Sequence, residues 1–332
     1  MLFNSLTRRA ALGASVAMLL ASSALADDIR LRIAGTHAPD HTNTILLGQI
    51  KEELESAGVG ITVQLFPANQ LGSGEQVFGD VRKGAIDIGN TFIYPTNDPR
   101  LEISSVPYLA ESYEQMRRIF SPGSNYYTAF SGLLAEQDIK LLGLLGEGFV
   151  GVGASKLPDN ATTVGDKGMT IRVWSANVAQ RTAADLGFNT TTIDWGDVFP
   201  ALQQGIVDGV IGGTPEANYT MWRDALNYYI PYDSFVETTG YYISDGVWDK
   251  MNAEQQAVVE AAFSSAALSS FDQSEAKDAE FLTKLEEAGV EIVHLSDEER
   301  GAIAAHVRSS TWPVLEETFG SELMDALKRD IE

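Results

Sequence analysis

Short apolar runs and longer stretches with apolar residues three to four apart alternate along this chain, the signature of strands alternating with amphipathic helices. One stretch occurs twice. Val77-Phe78-x-x-Val81-x-x-Gly84-x-Ile86-Asp87 returns 121 residues later as Val198-Phe199-x-x-Leu202-x-x-Gly205-x-Val207-Asp208. Each copy has a helical apolar stripe, a Gly at its stop and a short apolar strand carrying an Asp. An apolar strand (Leu31 to Ala34; Thr170 to Trp174), a helical run and a second strand precede each copy. Each copy therefore closes a βαβαβ-like unit. Two such units predict an α/β protein of two similar lobes with a cleft between them.

The pattern between and after the repeats sets the expected organisation. In the first lobe Ile61 to Phe66 leads into the turn-rich Pro67-Ala68-Asn69-Gln70-Leu71-Gly72-Ser73-Gly74, and Lys140 to Leu145 reads as a buried strand. Gly146 to Pro158 is glycine-rich and suits a crossover between lobes. Ser234 to Ile243 reads as a strand returning to the first lobe. Residues 253–288 contain neither Gly nor Pro, start after Asn252 as an N-cap and stop at Gly289. As one helix this segment would be ~54 Å long and strut both lobes. The alternative is two helices bent near Ser264-Ser265 or Ser269-Ser270. The expected division is residues 27–148 with about 234–270 as lobe I, and 149–233 with about 271–332 as lobe II.

At 332 residues the length supports two domains, and 44% apolar with 21% charged residues is the composition of a folded soluble protein. Met1 to Ala26 stands apart: Arg8 and Arg9, an apolar run from Ala10 to Leu20, then Ala24-Leu25-Ala26. It reads as an export signal cleaved after about Ala26, which places the mature chain in the periplasm. Thr7-Arg8-Arg9-Ala10-Ala11-Leu12 also resembles a twin-arginine signal, with Ala11 where a bulky residue is usual, so both export routes stay open. Without the two leader arginines the formal charge of −23 becomes −25. Such a surface repels nucleic acid and anionic lipid, and an anionic ligand would need a local cation. The absence of Cys excludes disulfides, thiolate metal sites and cysteine catalysis.

Arg172 is the most pointed polar residue, lying inside the otherwise apolar strand Thr170-Ile171-Arg172-Val173-Trp174. A guanidinium at a strand end is suited to bidentate capture of a carboxylate. It could equally pair with an internal acid such as Asp194 or Asp208. Trp174 and Trp195 border the same region, as core or as ligand wall. Gly212-Gly213-Thr214-Pro215-Glu216 follows the second repeat's strand, where open α/β sheets bind ligands. Glu216 would suit an ammonium or hydroxyl. Gly146-x-Gly148-x-x-Gly151 follows a strand but opens no helix, so the dinucleotide fingerprint fails. His37 and His41 are separated by Pro39 and share no helical face, and no other His has a partner nearby in sequence, so neither a metal site nor a catalytic His is expected. No cofactor is called for.

The run Ile171-Arg172-Val173-Trp174 … Ala184-Asp185-Leu186-Gly187 … Trp195-Gly196-Asp197-Val198-Phe199-Pro200-Ala201-Leu202-Gln203-Gln204-Gly205-x-Val207-Asp208-Gly209 resembles the solute-binding subunits of tripartite ATP-independent periplasmic (TRAP) transporters, of the dicarboxylate-binding DctP type. Pro67 to Gly72 and Ser105-Val106-Pro107-Tyr108-Leu109 resemble further landmarks, and the likeness covers the mature chain. The resemblance implies a clamshell of the periplasmic-binding-protein class with a long helix spanning both lobes. It implies a monomer that closes on a small organic acid and delivers it to integral-membrane permease subunits. The family's carboxylate-binding arginine falls on Arg172, a hydrogen-bonding side chain on Ser175 and an aromatic wall on Trp195. Thr36, His37, Phe92, Phe149, Gly212 and Gly213 should line the cleft. Where some relatives carry a second ligand arginine, this chain is apolar near Phe149, which suggests a monocarboxylate or a compact acid with an apolar part. The alternatives are a zwitterionic solute such as ectoine, a ligand-sensing subunit, and an exported enzyme, for which no nucleophile–base pair is evident.

Overall fold

The first repeat folds as β1 (Ile29–Gly35), α1 (Thr42–Ser56), β2 (Ile61–Phe66), α2 (Gly74–Arg82) and β3 (Ile88–Thr91). The structure, a computed structural model, describes residues 28–331; the export signal read at Met1 to Ala26 lies outside them. After α3 (Tyr113–Phe120), α4 (Asn125–Ala135), β4 (Ile139–Phe149) and β5 (Val152–Ala154), the second repeat follows. It comprises β6 (Thr170–Val173), α5 (Asn177–Leu186), β7 (Asn189–Thr192), α6 (Val198–Gln203) and β8 (Gly209–Ile211).

The two units share their topology as well as their sequence. β1 pairs in parallel with β2 and β3, and β6 in parallel with β7 and β8, so the orders β2-β1-β3 and β7-β6-β8 correspond. The repeated residues do the same work in each. Gly84 and Gly205 stop their helices at φ 69° and 67°, a left-handed conformation that a side chain resists. Asp87 accepts a hydrogen bond from the Arg32 N–H of β1 at 2.7 Å, and Asp208 from the Thr170 N–H of β6 at 3.1 Å. Each acid ties the start of one strand to the central strand of its own three-stranded unit.

Further strands complete two sheets. A short turn α7 (Pro215–Ala217) precedes β9 (Tyr228–Ile230), β10 (Val236–Ser244), the turn α8 (Asp245–Trp248), α9 (Ala253–Glu287) and β11 (Glu291–Ile292). The chain ends in α10 (Asp297–Phe319) and α11 (Ser321–Ile331). One sheet runs β2-β1-β3-β10-β4 and the other β11-β9-β5-β8-β6-β7. β10 lies antiparallel between β3 and β4, so the strand read at Ser234 to Ile243 does return to the first sheet.

The expected crossover is narrower than its glycines suggested. β4 continues through Gly146 and Gly148 to Phe149, and the chain passes to the second sheet between there and Val152. Those glycines make room for α9 instead: a Cβ on Gly146 would lie 2.2 Å from the Phe271 ring, and one on Gly148 2.3 Å from the Asp278 carboxylate.

α9 is one helix of 35 residues, about 52 Å long at 1.5 Å per residue, so the bent-pair alternative does not hold. Asn252 caps it, accepting from the Glu254 and Gln255 N–H groups, in a capping box completed by Gln255. The helix packs on β4 of the first sheet and beside β11 of the second. α10 packs on α5, and α11 on α3 and α4. Among the described residues no helix is long and apolar enough to cross a membrane.

Candidate functional site

The carboxyl ends of the parallel strands from both sheets meet at one cavity, where open α/β sheets place ligands. Thr36 and His37 follow β1, Phe92 and Tyr94 follow β3, Arg172 and Trp174 end β6, Trp195 follows β7, Gly212 follows β8, and Glu237 and Thr239 come from β10. These ten residues line the cavity, apolar rings beside a few polar groups, the make-up of a small-molecule site. Seven of them were singled out in the sequence: Thr36, His37, Phe92, Arg172, Trp174, Trp195 and Gly212.

Arg172 is buried, and among the described residues it forms no ion pair. Asp208 pairs with Lys156 at 3.0 Å, and Asp194 stands on the wall of an adjoining cavity. The internal-pair alternative therefore does not hold. The Arg172 Nε donates to the Ile193 carbonyl at 2.8 Å, which fixes the plane of the guanidinium and leaves its terminal nitrogens for another partner. Its Cζ lies 5.7 Å from the Trp195 ring centroid, within cation–π range. Burial lowers its pKa to about 10, with Tyr94, Glu237 and Asp194 pulling the other way. It remains a cation at neutral pH.

Gly212 is what lets the guanidinium sit there. Its φ is 110°, and a Cβ would come within 3.1 Å of Arg172 Nη1 and 3.3 Å of Trp174 Cε3. Gly212→Ala, strained by about 1–3 kcal/mol and pressing on the guanidinium, is expected to weaken ligand binding at least tenfold. Calorimetry showing unaltered affinity would refute this role.

A polar cluster backs the cavity. The His37 and His41 rings, not expected to share a face, are stacked by the turn between β1 and α1, with centroids 4.1 Å apart. His37 Nε2 lies 3.4 Å from Glu147, whose other oxygen accepts from Asn43 at 2.6 Å and Thr239 at 2.7 Å. Burial opposes both charges, but their attraction outweighs it, holding His37 above and Glu147 below their usual pKa values. Burial and the neighbouring His37 keep His41 well below its usual value. Its Nδ1 accepts from the Asn43 N–H, which puts the ring proton on Nε2. His37, His41 and Glu147 have ligand atoms within 4.8 Å of one another, so the metal-type cluster that sequence spacing dismissed is assembled by a turn, not a helix face. That proton on His41 Nε2 would have to leave before the three could hold a cation.

Five expected residues lie outside the cavity lining. Ser175 lines the adjoining cavity of about 250 Å³, which shares Arg172, Trp174, Trp195 and Tyr94. Phe149 packs edge-on against Tyr113, and its N–H donates to Asp278 at 3.0 Å. Gly213 touches the site through its backbone, donating to Glu237 at 3.4 Å. The buried Thr214 carbonyl accepts from Asn218 at 2.9 Å. Glu216 reaches away from the cavity to α1, accepting from the Thr42 N–H at 3.0 Å and hydroxyl at 2.7 Å. Sequence reasoning missed Tyr94, Thr239 and Glu237. Glu237 carried the signal that exposed Arg172, a lone charge in a strand, but among threonines it passed as ordinary alternation.

The family model DctP, bacterial extracellular solute-binding protein family 7, matches residues 33–317. An ectoine/5-hydroxyectoine-binding periplasmic protein of Ruegeria pomeroyi is 26% identical over 96% of this chain and 94% of its own length. A C4-dicarboxylate-binding periplasmic protein of Rhodobacter capsulatus is 23% identical over 97% and 98%. Among solved structures, a TRAP periplasmic solute-binding protein of Shewanella oneidensis with bound succinate superposes with a TM-score of 0.82. It is 19% identical, with 92% of this chain and 100% of that one covered. Another, from Desulfovibrio salexigens with bound orotic acid, also gives 0.82, at 16% identity over 91% and 98%.

Proposed function

The chain belongs to family 7 of the bacterial extracellular solute-binding proteins, and from that premise we propose that it captures a small organic acid on Arg172. It is a solute-binding protein of the TRAP type, and closure of its two halves over the acid presents the loaded form to the membrane permease. The observation that carries the ligand class is a buried guanidinium with no ion pair among the described residues, facing a cavity walled by aromatic rings. An unpaired buried cation is costly, and a ligand carboxylate is the partner that offsets the cost. The Trp174 and Trp195 Nε1 atoms are buried without partners among the described residues, which suits further acceptor oxygens on the ligand. The other solutes of the relatives are acids too: succinate and orotic acid each carry a carboxylate.

In this mechanism Arg172 orients the acid, Trp174 and Trp195 cover its apolar body, and exclusion of water strengthens each charge-assisted bond. Because the ligand binds the closed arrangement better, it shifts the population toward closure. No step requires bond making or breaking.

A thermal-shift screen of the mature chain tests the reading. A carboxylate ligand at 100 times its Kd is expected to stabilise the fold by about 2.7 kcal/mol through mass action. A screen in which neutral sugars or amines stabilise the protein and carboxylates do not would overturn it.

A further inference from the structure

Resting on the organic-acid reading, we propose that the acid is a zwitterion, with Glu237 holding its protonated nitrogen opposite the carboxylate held by Arg172. Both residues line the same cavity, Arg172 from β6 of one sheet and Glu237 from β10 of the other. Among the described residues they form no ion pair with each other, so each keeps a face for a ligand.

Glu237 is distinguished from the other acids nearby by what it lacks. Glu147 is taken up by Asn43, Thr239 and His37. Glu216 is taken up by Thr42. Among the described residues Glu237 has a single long hydrogen bond, 3.4 Å from the Gly213 N–H. It is the carboxylate at this site still short of a partner.

The charge arithmetic then selects the ligand. A simple anion would satisfy Arg172 but bring a second carboxylate beside Glu237 in a water-poor space. The empty site meets that deficit with a proton: burial, then the neighbouring Glu147, push the Glu237 pKa up to about 8, against the pull of the Gly213 N–H, His37 and Arg172. An ammonium or amidinium on the ligand supplies the missing cation instead. The walls agree, since the faces of Phe92, Tyr94, Trp174 and Trp195 attract positive charge.

Calorimetry with matched acids tests this on the mature chain: proline against cyclopentanecarboxylate, pipecolate against cyclohexanecarboxylate, and 4-aminobutyrate against pentanoate. In at least one pair the nitrogen-bearing acid is expected to bind tenfold or more tighter. Glu237→Gln should erase that preference, bringing the two affinities within a pair together, whereas a merely structural role would lower both alike and keep their ratio. Equal affinity within every pair, preference for the nitrogen-free acids, or no binding by any nitrogen-bearing acid overturns the proposal. The comparison on the unaltered chain decides this even if the variant folds poorly. Equal affinities that still vanish in Arg172→Ala would remove only the zwitterion. Acid binding indifferent to Arg172→Ala would remove the organic-acid reading beneath it.

Discussion

Arg172→Ala is expected to weaken acid binding by about 2–5 kcal/mol, a loss of roughly 30-fold to several thousand-fold. The size follows from what the variant leaves behind. A carboxylate brought into the cavity would lose its water and find no uncommitted cation in the lining, because His37 is already paired with Glu147 and the other charged residue there, Glu237, is an acid. The same substitution should act in the opposite direction on the empty protein. There the guanidinium is buried with the Ile193 carbonyl as its one hydrogen-bond partner among the described residues, and its lowered pKa reports the cost of keeping it charged. The ligand-free melting temperature of Arg172→Ala is thus expected to stay level or rise, while the ligand-induced increase disappears. Arg172→Lys should recover little, since an ammonium cannot offer a bidentate fork and still hold the Ile193 carbonyl. A variant that melts lower when empty and still binds acids would make Arg172 a structural residue.

The paired architecture was legible because each unit repeats a short-range pattern. The stripe, the stopping glycine and the strand-tying Asp lie within eleven residues of one another in both copies, so the fold reuses them locally. Arg172 was legible for a related reason: an always-charged residue in an apolar strand must be explained by something outside the strand. What the sequence hid were partnerships made across the chain. The stacking of His37 on His41 depends on how a proline-containing turn coils, and periodicity says nothing about that. Glu237 lies in a strand whose two faces differ only once β3 and β4 flank it. Glu216 lies just after β8, but the groups that donate to it are 174 residues away at the start of α1. Long α9 was the intermediate case. Its uninterrupted composition permitted one helix or two, and packing along β4 and β11 selects one.

Glu216→Ala is expected to weaken binding of every ligand by about tenfold to a hundredfold without touching any of them. Glu216 follows β8, in the sheet that carries Arg172, while Thr42 opens α1, which packs on the other sheet. Its carboxylate accepts two hydrogen bonds from Thr42, one from the backbone N–H at the positive end of a 15-residue helix. Lys277 of α9 and His41 each stand 3.8 Å from its second oxygen. Glu216 is buried, and the contact joins an element after the second sheet's β8 to the helix that packs on the first sheet. In the proposed closure this contact forms as the halves come together, so its free energy favours the closed state. Removing it lowers the closed population and scales every apparent affinity by the same factor. This is the opposite of the Glu237 case, in which affinities change selectively. Glu216→Gln, which keeps an acceptor for the Thr42 N–H, should lose much less. Two measurements separate the latch from a simple loss of stability: calorimetry across chemically different ligands, and small-angle scattering at saturation. The affinity ratio between wild type and Glu216→Ala should be constant across ligands, and compaction should require more ligand. A ratio that varies from ligand to ligand would return Glu216 to the binding site itself.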